Sequence, residues 1–125
     1  MSNIATHKAQ SIDAEILQEA QEILGDGFND LLVQFKMDTK ALLSTIEFSR
    51  ASNDYQGIKD SAHSMKSASF QMGATKMNYY ADEIENFLNA SPVLSTIQDE
   101  KKLDDLIGNL REAFSTYQDD VLIFL

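Results

Sequence analysis

The sequence predicts an all-α fold, an antiparallel up-down four-helix bundle with an additional short N-terminal helix. Apolar residues recur at helical spacing along most of the 125 residues, and no segment shows a convincing strand alternation. One proline and only five glycines leave room for long uninterrupted helices, and short connections make successive helices antiparallel neighbours. The length suits one domain, which we expect to span residues 11–125 after a flexible N-terminus at residues 1–10.

The first two helices have recognisable ends. Ser11 is suited to cap the first helix, because a serine oxygen can accept the free amide hydrogens of a first turn. That helix is predicted to end near Gly25, since glycine tolerates a left-handed C-cap. The second is predicted to run from about Asn29 to Ser52 and Asn53. Its apolar stripe consists of Phe28, Leu31, Leu32, Phe35, Leu42, Leu43 and Ile46.

The last three helices follow in the same way. Asp54 is suited to cap the third helix, which is predicted to reach Met72 before a turn at Gly73. The fourth helix ends at the breaker that contains Pro92. Its apolar stripe consists of Met77, Tyr80, Ala81, Ile84 and Leu88. The stripe of the long final helix consists of Leu103, Leu106, Ile107, Leu110, Phe114, Tyr117, Val121 and Phe124.

The composition argues against several classes of function. A net charge of −10 disfavours nucleic acid or an anionic membrane as a partner, because phosphates need lysine and arginine to neutralise them. No apolar run is long enough to span a membrane, and the polar start lacks the apolar region of a secretory signal. The chain has no cysteine, so a disulfide and a thiolate metal site are excluded, and a cytoplasmic location is expected.

The charge is unevenly distributed along the chain. Residues 51–80 carry three lysines and two aspartates, which sum to +1, whereas the remainder sums to −11. One of the two histidines, His63, lies in this least acidic stretch. The asymmetry would suit a local contact with a negatively charged group.

The spacing of the third helix predicts that His63 points away from the core. At about 100° per residue, His63 lies about 140° from the centre of the apolar stripe. That stripe consists of Ile58, Ala62, Met65, Ser69 and Met72. The same solvent-facing side carries Lys59, Asp60, Lys66, Ser67 and Phe70.

The neighbours of His63 on this side are small or positively charged. Ser67 at i+4 leaves the imidazole open to a partner, and Lys66 at i+3 places a cation beside it. Phe70 is an aromatic residue on a face that should be solvated, which is typical of docking surfaces. The alternative is an ordinary surface histidine with no function, next to small residues that only allow close helix packing.

The pattern as a whole resembles a known family. Residues 63–74 read HSMKSASFQMGA, followed by apolar positions of the fourth helix and then Glu85. This sequence is similar to the histidine-containing phosphotransfer (HPt) domains of multistep phosphorelays. The motif covers about a fifth of the chain, and the order of helices around it extends the likeness to most of the sequence.

The resemblance implies a phosphoryl carrier with no ATP site or kinase activity of its own. His63 would be the phosphorylated residue, Lys66 would balance the phosphate charge, and Glu85 would orient the imidazole. Gly73 matches the turn glycine, whereas Ser67 departs from the glycine that is most common in the family and leaves slightly less room. Lys59, Asp60, Ser67 and Phe70 are expected to contact the partner.

The resemblance also implies the partners. These would be response-regulator receiver domains and a hybrid sensor histidine kinase. No cofactor of its own is expected, because the receiver domain would bring the Mg²⁺ and the aspartate. Nothing in the sequence demands a dimer, so a monomer is expected.

Other functions receive less support from the residues. No glycine-rich phosphate-binding loop is present, which argues against an ATP-dependent enzyme. A di-metal bundle would need Glu-x-x-His on two helices, and neither His7 nor His63 has a glutamate three residues before it. No metal site is therefore expected. The open alternative is a helical adaptor of the same fold that binds partners without phosphoryl transfer.

Overall fold

A computed structural model describes residues 10–125, in which there are five α-helices and no β-strand. Four long helices form the antiparallel bundle and a short helix precedes them, so the predicted fold class is confirmed. The flexible N-terminus predicted for residues 1–10 lies outside the described residues except for Gln10. The helices are α1 (Ala14–Leu24), α2 (Gly27–Ala51), α3 (Tyr55–Gln71), α4 (Thr75–Ala90) and α5 (Ile97–Phe124).

The core lies where the predicted apolar stripes meet. All five stripe residues of α3 are buried, and so are the α5 residues from Leu103 to Val121 that the periodicity selected. Phe124 and Leu42 are only partly buried. The prediction was wrong for Leu31, which is 42% exposed. Leu31 is adjacent to Leu32 in an α-helix, and only Leu32 points towards the other helices of the bundle.

The start of α1 differs from the prediction. Its N-cap is Asp13, whose carboxylate accepts a hydrogen bond from the Ile16 amide at 3.2 Å, and Ser11 is a buried residue before the helix. The backbone amide of Asp13 donates to the carbonyl of Gly73 at 2.7 Å, which fixes the position where the helix can begin. The end at Gly25 is confirmed, with a φ of 55°.

The boundaries of the next two helices are close to those expected. Helix α2 begins at Gly27, two residues before the predicted Asn29, and ends immediately before Ser52. The predicted cap of α3 is confirmed, because the Asp54 carboxylate accepts a hydrogen bond from the Gly57 amide at 3.0 Å.

The turn between α3 and α4 is held from two sides. Gly73 has a φ of 64°, a left-handed conformation that favours glycine, and its carbonyl accepts the hydrogen bond from Asp13. From α5, the buried Tyr117 hydroxyl donates to the Met72 carbonyl at 2.8 Å. Burial raises the pKa of the Tyr117 phenol, so the hydroxyl keeps the proton that it donates. These contacts fix the end of α3, the helix that carries His63.

Replacing Gly73 by alanine is expected to lower the free energy of unfolding by about 1–3 kcal/mol. An alanine at this position would keep a positive φ, which is strained for a residue with a side chain. Its Cβ would lie 3.0 Å from both the Asp13 carbonyl oxygen and Leu17 Cγ. Gly108→Ala is the matched control, because a Cβ at that position in the middle of α5 has nothing within 4 Å. It should stabilise the helix by about 0.5–1 kcal/mol. Urea unfolding measures both, and equal effects of the two changes would contradict this role of Gly73.

Ion pairs join α2 to α5. Arg50 contacts Asp104 at 2.7 Å and Glu100 at 3.4 Å, and Arg111 contacts Glu47 at 2.7 Å. Within the core, the rings of Phe35 and Tyr117 meet edge to face with centroids 5.5 Å apart. These contacts hold α2 and α5 together. No helix within residues 10–125 is apolar over a length that could cross a membrane.

Candidate functional site

The imidazole of His63 lies on the surface of α3, with 63% of its side chain exposed. Ala62 immediately before it and Met65 two residues after it are completely buried. Since these residues fix the inward face of the helix, the geometry of an α-helix directs His63 outward. The predicted orientation of His63 is confirmed.

A carboxylate from the neighbouring helix holds the imidazole. Glu85 lies on α4 next to the fully buried Ile84, and its Oε2 is 2.7 Å from His63 Nδ1. Only 15% of the Glu85 side chain is exposed. An ionised carboxylate can only accept a hydrogen bond, so Nδ1 carries the proton of the neutral ring and Nε2 keeps its lone pair. The site therefore presents a nitrogen nucleophile towards solvent.

The second oxygen of the same carboxylate pairs with a lysine. Lys66 Nζ lies 2.7 Å from Glu85 Oε1, which is itself closed off from solvent, and 3.3 Å from Asp82 Oδ1. The ion pair with Lys66 lowers the pKa of Glu85, more than His63 does and against the opposing effect of burial. The ion pair with Glu85 is also the main reason why the pKa of Lys66 is raised. Both groups are thus held in their charged forms at neutral pH.

The environment of Lys66 differs from the expected solvent-facing position. Its side chain is 31% exposed, because two carboxylates of α4 draw the ammonium group into the groove between α3 and α4. Lys66 therefore lies beside the imidazole and is already paired with anions before any phosphoryl group arrives.

The residues expected to contact a partner share this face of α3. Asp60 and Ser67 are exposed and Lys59 is partly buried. Phe70 is 63% exposed and forms one wall of a shallow depression. The depression is lined by Lys66, Ser67, Phe70, Gln71 and Asn78. The four residues expected to contact a partner thus lie on the same face of α3, as predicted, and their role in docking stays a prediction.

Two residues of this site were not identified from the sequence. Asp82 lies near Lys66, and Asn78 donates a hydrogen bond from Nδ2 to the backbone carbonyl of Lys66 at 2.8 Å. The sequence does contain a signal for them. Asn78, Asp82 and Glu85 are spaced by four and three residues, which places them on one polar face of α4. That face is the one that packs beside His63.

Comparisons with known proteins agree with this geometry. The family model described as "Hpt domain" matches residues 30–113. The chain belongs to the Hpt domain family. The matched segment runs from α2 into α5 and contains His63, Lys66 and Glu85. A search of curated proteins gave no match.

A solved structure supports the fold of this Hpt domain. It is the crystal structure of histidine-containing phosphotransfer protein B (HptB) from Pseudomonas aeruginosa PAO1. The TM-score is 0.66 at 23% sequence identity, over 90% of this chain and 97% of the other. At this identity the likeness shows that the two proteins share a fold.

Family membership establishes the general function. Hpt domains are phosphoryl carriers that interact with receiver domains and kinases in phosphorelays, so the chain has a phosphotransfer role of this kind. Within residues 10–125, no group of three or more histidine, aspartate or glutamate side chains is arranged to hold a metal ion.

Proposed function

We propose that this Hpt domain accepts a phosphoryl group on His63 from the phosphoaspartate of one receiver domain and passes it to the aspartate of another. The observation that supports this most strongly is that His63 is exposed while one of its two ring nitrogens is held by Glu85. Its side chain is 63% exposed while Nδ1 is held by Glu85 at 2.7 Å. The nitrogen that remains, Nε2, has both the lone pair and the access that attack on a phosphorus atom requires.

The transfer needs no net movement of a proton. The Nε2 lone pair forms the N–P bond while the bond between phosphorus and the receiver's carboxylate oxygen breaks, and the carboxylate leaves with that electron pair. The ring becomes a phosphorylated imidazolium that keeps the proton on Nδ1. Glu85 stabilises the positive charge of this ring, as a carboxylate does for an imidazolium. In the onward transfer the N–P bond breaks and its electron pair returns to Nε2.

Lys66 is proposed to stabilise the charge of the transferred group. In phosphoryl transfer the negative charge is spread over three oxygens, and a fixed ammonium group next to the reacting nitrogen favours that state. Lys66 is one helical turn from His63 and is oriented by Glu85, so it is preorganised beside the ring.

The partner is proposed to supply the rest of the chemistry. The receiver domain would bring the aspartate and the Mg²⁺ ion, while this chain would contribute His63, Lys66 and a docking surface. A hybrid sensor histidine kinase would be the source of the phosphoryl group. The absence of a cofactor, the monomeric state and the cytoplasmic location stay predictions.

Labelled phosphoryl transfer tests the proposal. Purified receiver domains from the source genome are phosphorylated with a radiolabelled small-molecule donor and mixed one by one with this protein. At least one receiver is expected to lose its label to the protein in an acid-labile, alkali-stable form, as phosphohistidine requires. If none of the receivers transfers its label, the proposed receiver-to-receiver function is wrong.

Phe70→Ala is expected to weaken receiver binding about 5- to 30-fold while the free energy of unfolding changes by about 1 kcal/mol or less. The ring is 63% exposed beside the site, so its removal takes away docking surface and little core packing. Phe48→Ala is the matched control, because Phe48 is 74% exposed on α2. Titration calorimetry with the cognate receiver compares the two. Equal losses of affinity would contradict the docking role of Phe70.

A further inference from the structure

Asp82 is a second anion beside Lys66, and the chemistry described above does not use it. It lies on α4 one turn before Glu85, and its side chain is 44% exposed. Oδ1 is 3.3 Å from Lys66 Nζ, and Oδ2 accepts a hydrogen bond from Asn86 Nδ2 at 3.3 Å. Both oxygens therefore have partners that orient the carboxylate towards the lysine.

The charges around Lys66 do not balance. Within residues 10–125, Lys66 is the only lysine or arginine in an ion pair with Asp82 or Glu85, so one cation serves two anions. A phosphoryl group adds a charge of about −1.5 to −2 at neutral pH. The phosphorylated ring is itself positive and pairs with Glu85, but the phosphoryl group and Asp82 together still carry more negative charge than Lys66 can neutralise, and like charges at close range destabilise one another.

The two carboxylates have different positions relative to the imidazole. Glu85 contacts both His63 and Lys66, so its loss would disturb the orientation of the ring as well as the charge. Asp82 contacts Lys66 without contacting His63. Any effect of Asp82 on the phosphoryl group must therefore act through Lys66 or through its own charge.

We propose that Asp82 is a positioning residue that keeps Lys66 shared between itself and the phosphoryl group, and so keeps the phosphoryl group on His63 easily transferable. This inference rests on the proposed function. When the N–P bond breaks and the receiver's carboxylate takes the phosphoryl group, Lys66 returns fully to Asp82 and Glu85. Asp82 thereby favours the unphosphorylated product and lowers the stability of the phosphohistidine.

Asp82→Asn tests this inference through the transfer equilibrium. The amide keeps the shape of the side chain but removes its charge, so Lys66 should pair more strongly with the phosphoryl group. The equilibrium between the phosphorylated receiver and this protein is expected to shift towards phosphorylated His63 by about two- to fivefold. Glu83→Gln is the matched control, because it removes the same charge from the next residue of α4 and should leave the equilibrium unchanged.

A double-mutant cycle distinguishes the two routes by which Asp82 could act. In a Lys66→Ala background, Asp82→Asn is expected to lose most of its effect, because no shared lysine remains. An unchanged equilibrium in the single Asp82→Asn variant would overturn the inference. An undiminished effect in the Lys66→Ala background would overturn it as well, because Asp82 would then not act through Lys66.

A second readout does not depend on any receiver. The protein is loaded chemically with phosphoramidate, and the ionisation of the phosphoryl group on His63 is followed by phosphorus NMR. In Asp82→Asn its titration midpoint should move to lower pH than in the unmodified chain, because the dianion gains a freer Lys66. An unmoved midpoint would overturn the role of Asp82. A moved midpoint together with no transfer from any receiver would support Asp82 and refute the phosphorelay function.

Discussion

Replacing His63 by glutamine is expected to abolish phosphoryl acceptance completely while leaving the fold intact. Among residues 10–125, the change removes the only nitrogen nucleophile that the site presents to solvent, and no neighbouring side chain in that range has a comparable lone pair at neutral pH. His63 is 63% exposed, so its loss should change the free energy of unfolding by about 0.5 kcal/mol or less. Transfer of label from a phosphorylated receiver and urea unfolding measure the two effects.

The same variant separates phosphoryl transfer from the adaptor alternative. If the protein only binds partners, His63→Gln should leave its biological output intact. If it is a phosphoryl carrier, the variant should still bind the receiver and yet block the output. A variant that retained acid-labile labelling would show that another residue accepts the phosphoryl group, and it would refute the proposed role of His63.

Glu85→Ala is expected to slow transfer to His63 about 10- to 100-fold, the order of effect seen when a reacting group loses the residue that orients it. The carboxylate holds Nδ1 at 2.7 Å and Lys66 Nζ at 2.7 Å, so one change frees the imidazole and leaves Lys66 with Asp82 as its remaining ion-pair partner. Single-turnover transfer from a phosphorylated receiver measures the rate constant.

The conservative variant provides the control for this prediction. In Glu85→Gln the amide oxygen can still accept the hydrogen bond from Nδ1–H, but the NH2 group then replaces the oxygen that faces Lys66, so the pairing with Lys66 is lost. Glu85→Gln should therefore recover a large part of the rate that Glu85→Ala loses. Equal rates for the alanine variant and the unmodified protein would contradict the orienting role of Glu85, and so would equally slow rates for the two variants.

Much of the fold could be predicted because helical periodicity in this chain reports burial directly. The stripe of α3 is buried as a whole, and so is the stripe of α5 as far as Val121. The errors lie where contacts between helices determine where a helix begins or which residue is buried. Helix α1 begins after Asp13 because the turn at Gly73 binds that backbone, which local sequence does not reveal. Leu31 is as apolar as Leu32, and only its neighbours in space leave it exposed.

The site could be predicted in part for a similar reason. The outward position of His63 follows from helix geometry alone, since it depends on residues of the same helix. The pairing with Glu85 was expected only from the resemblance to HPt domains. The sharing of Lys66 between two carboxylates requires α3 and α4 to pack in one register, which fixes distances across a gap of 16 residues in sequence. Pattern within a single helix does not contain that information.

The position of the phosphoryl group on the ring tests most directly whether Nε2 of His63 is the acceptor. The protein is labelled with nitrogen-15 on histidine, loaded from a phosphorylated receiver, and examined by NMR for coupling between phosphorus and the ring nitrogens. We expect a phosphoryl group on Nε2 of His63, with Nδ1 protonated and hydrogen-bonded to Glu85. A phosphoryl group on Nδ1, on another residue, or on no residue at all would contradict it.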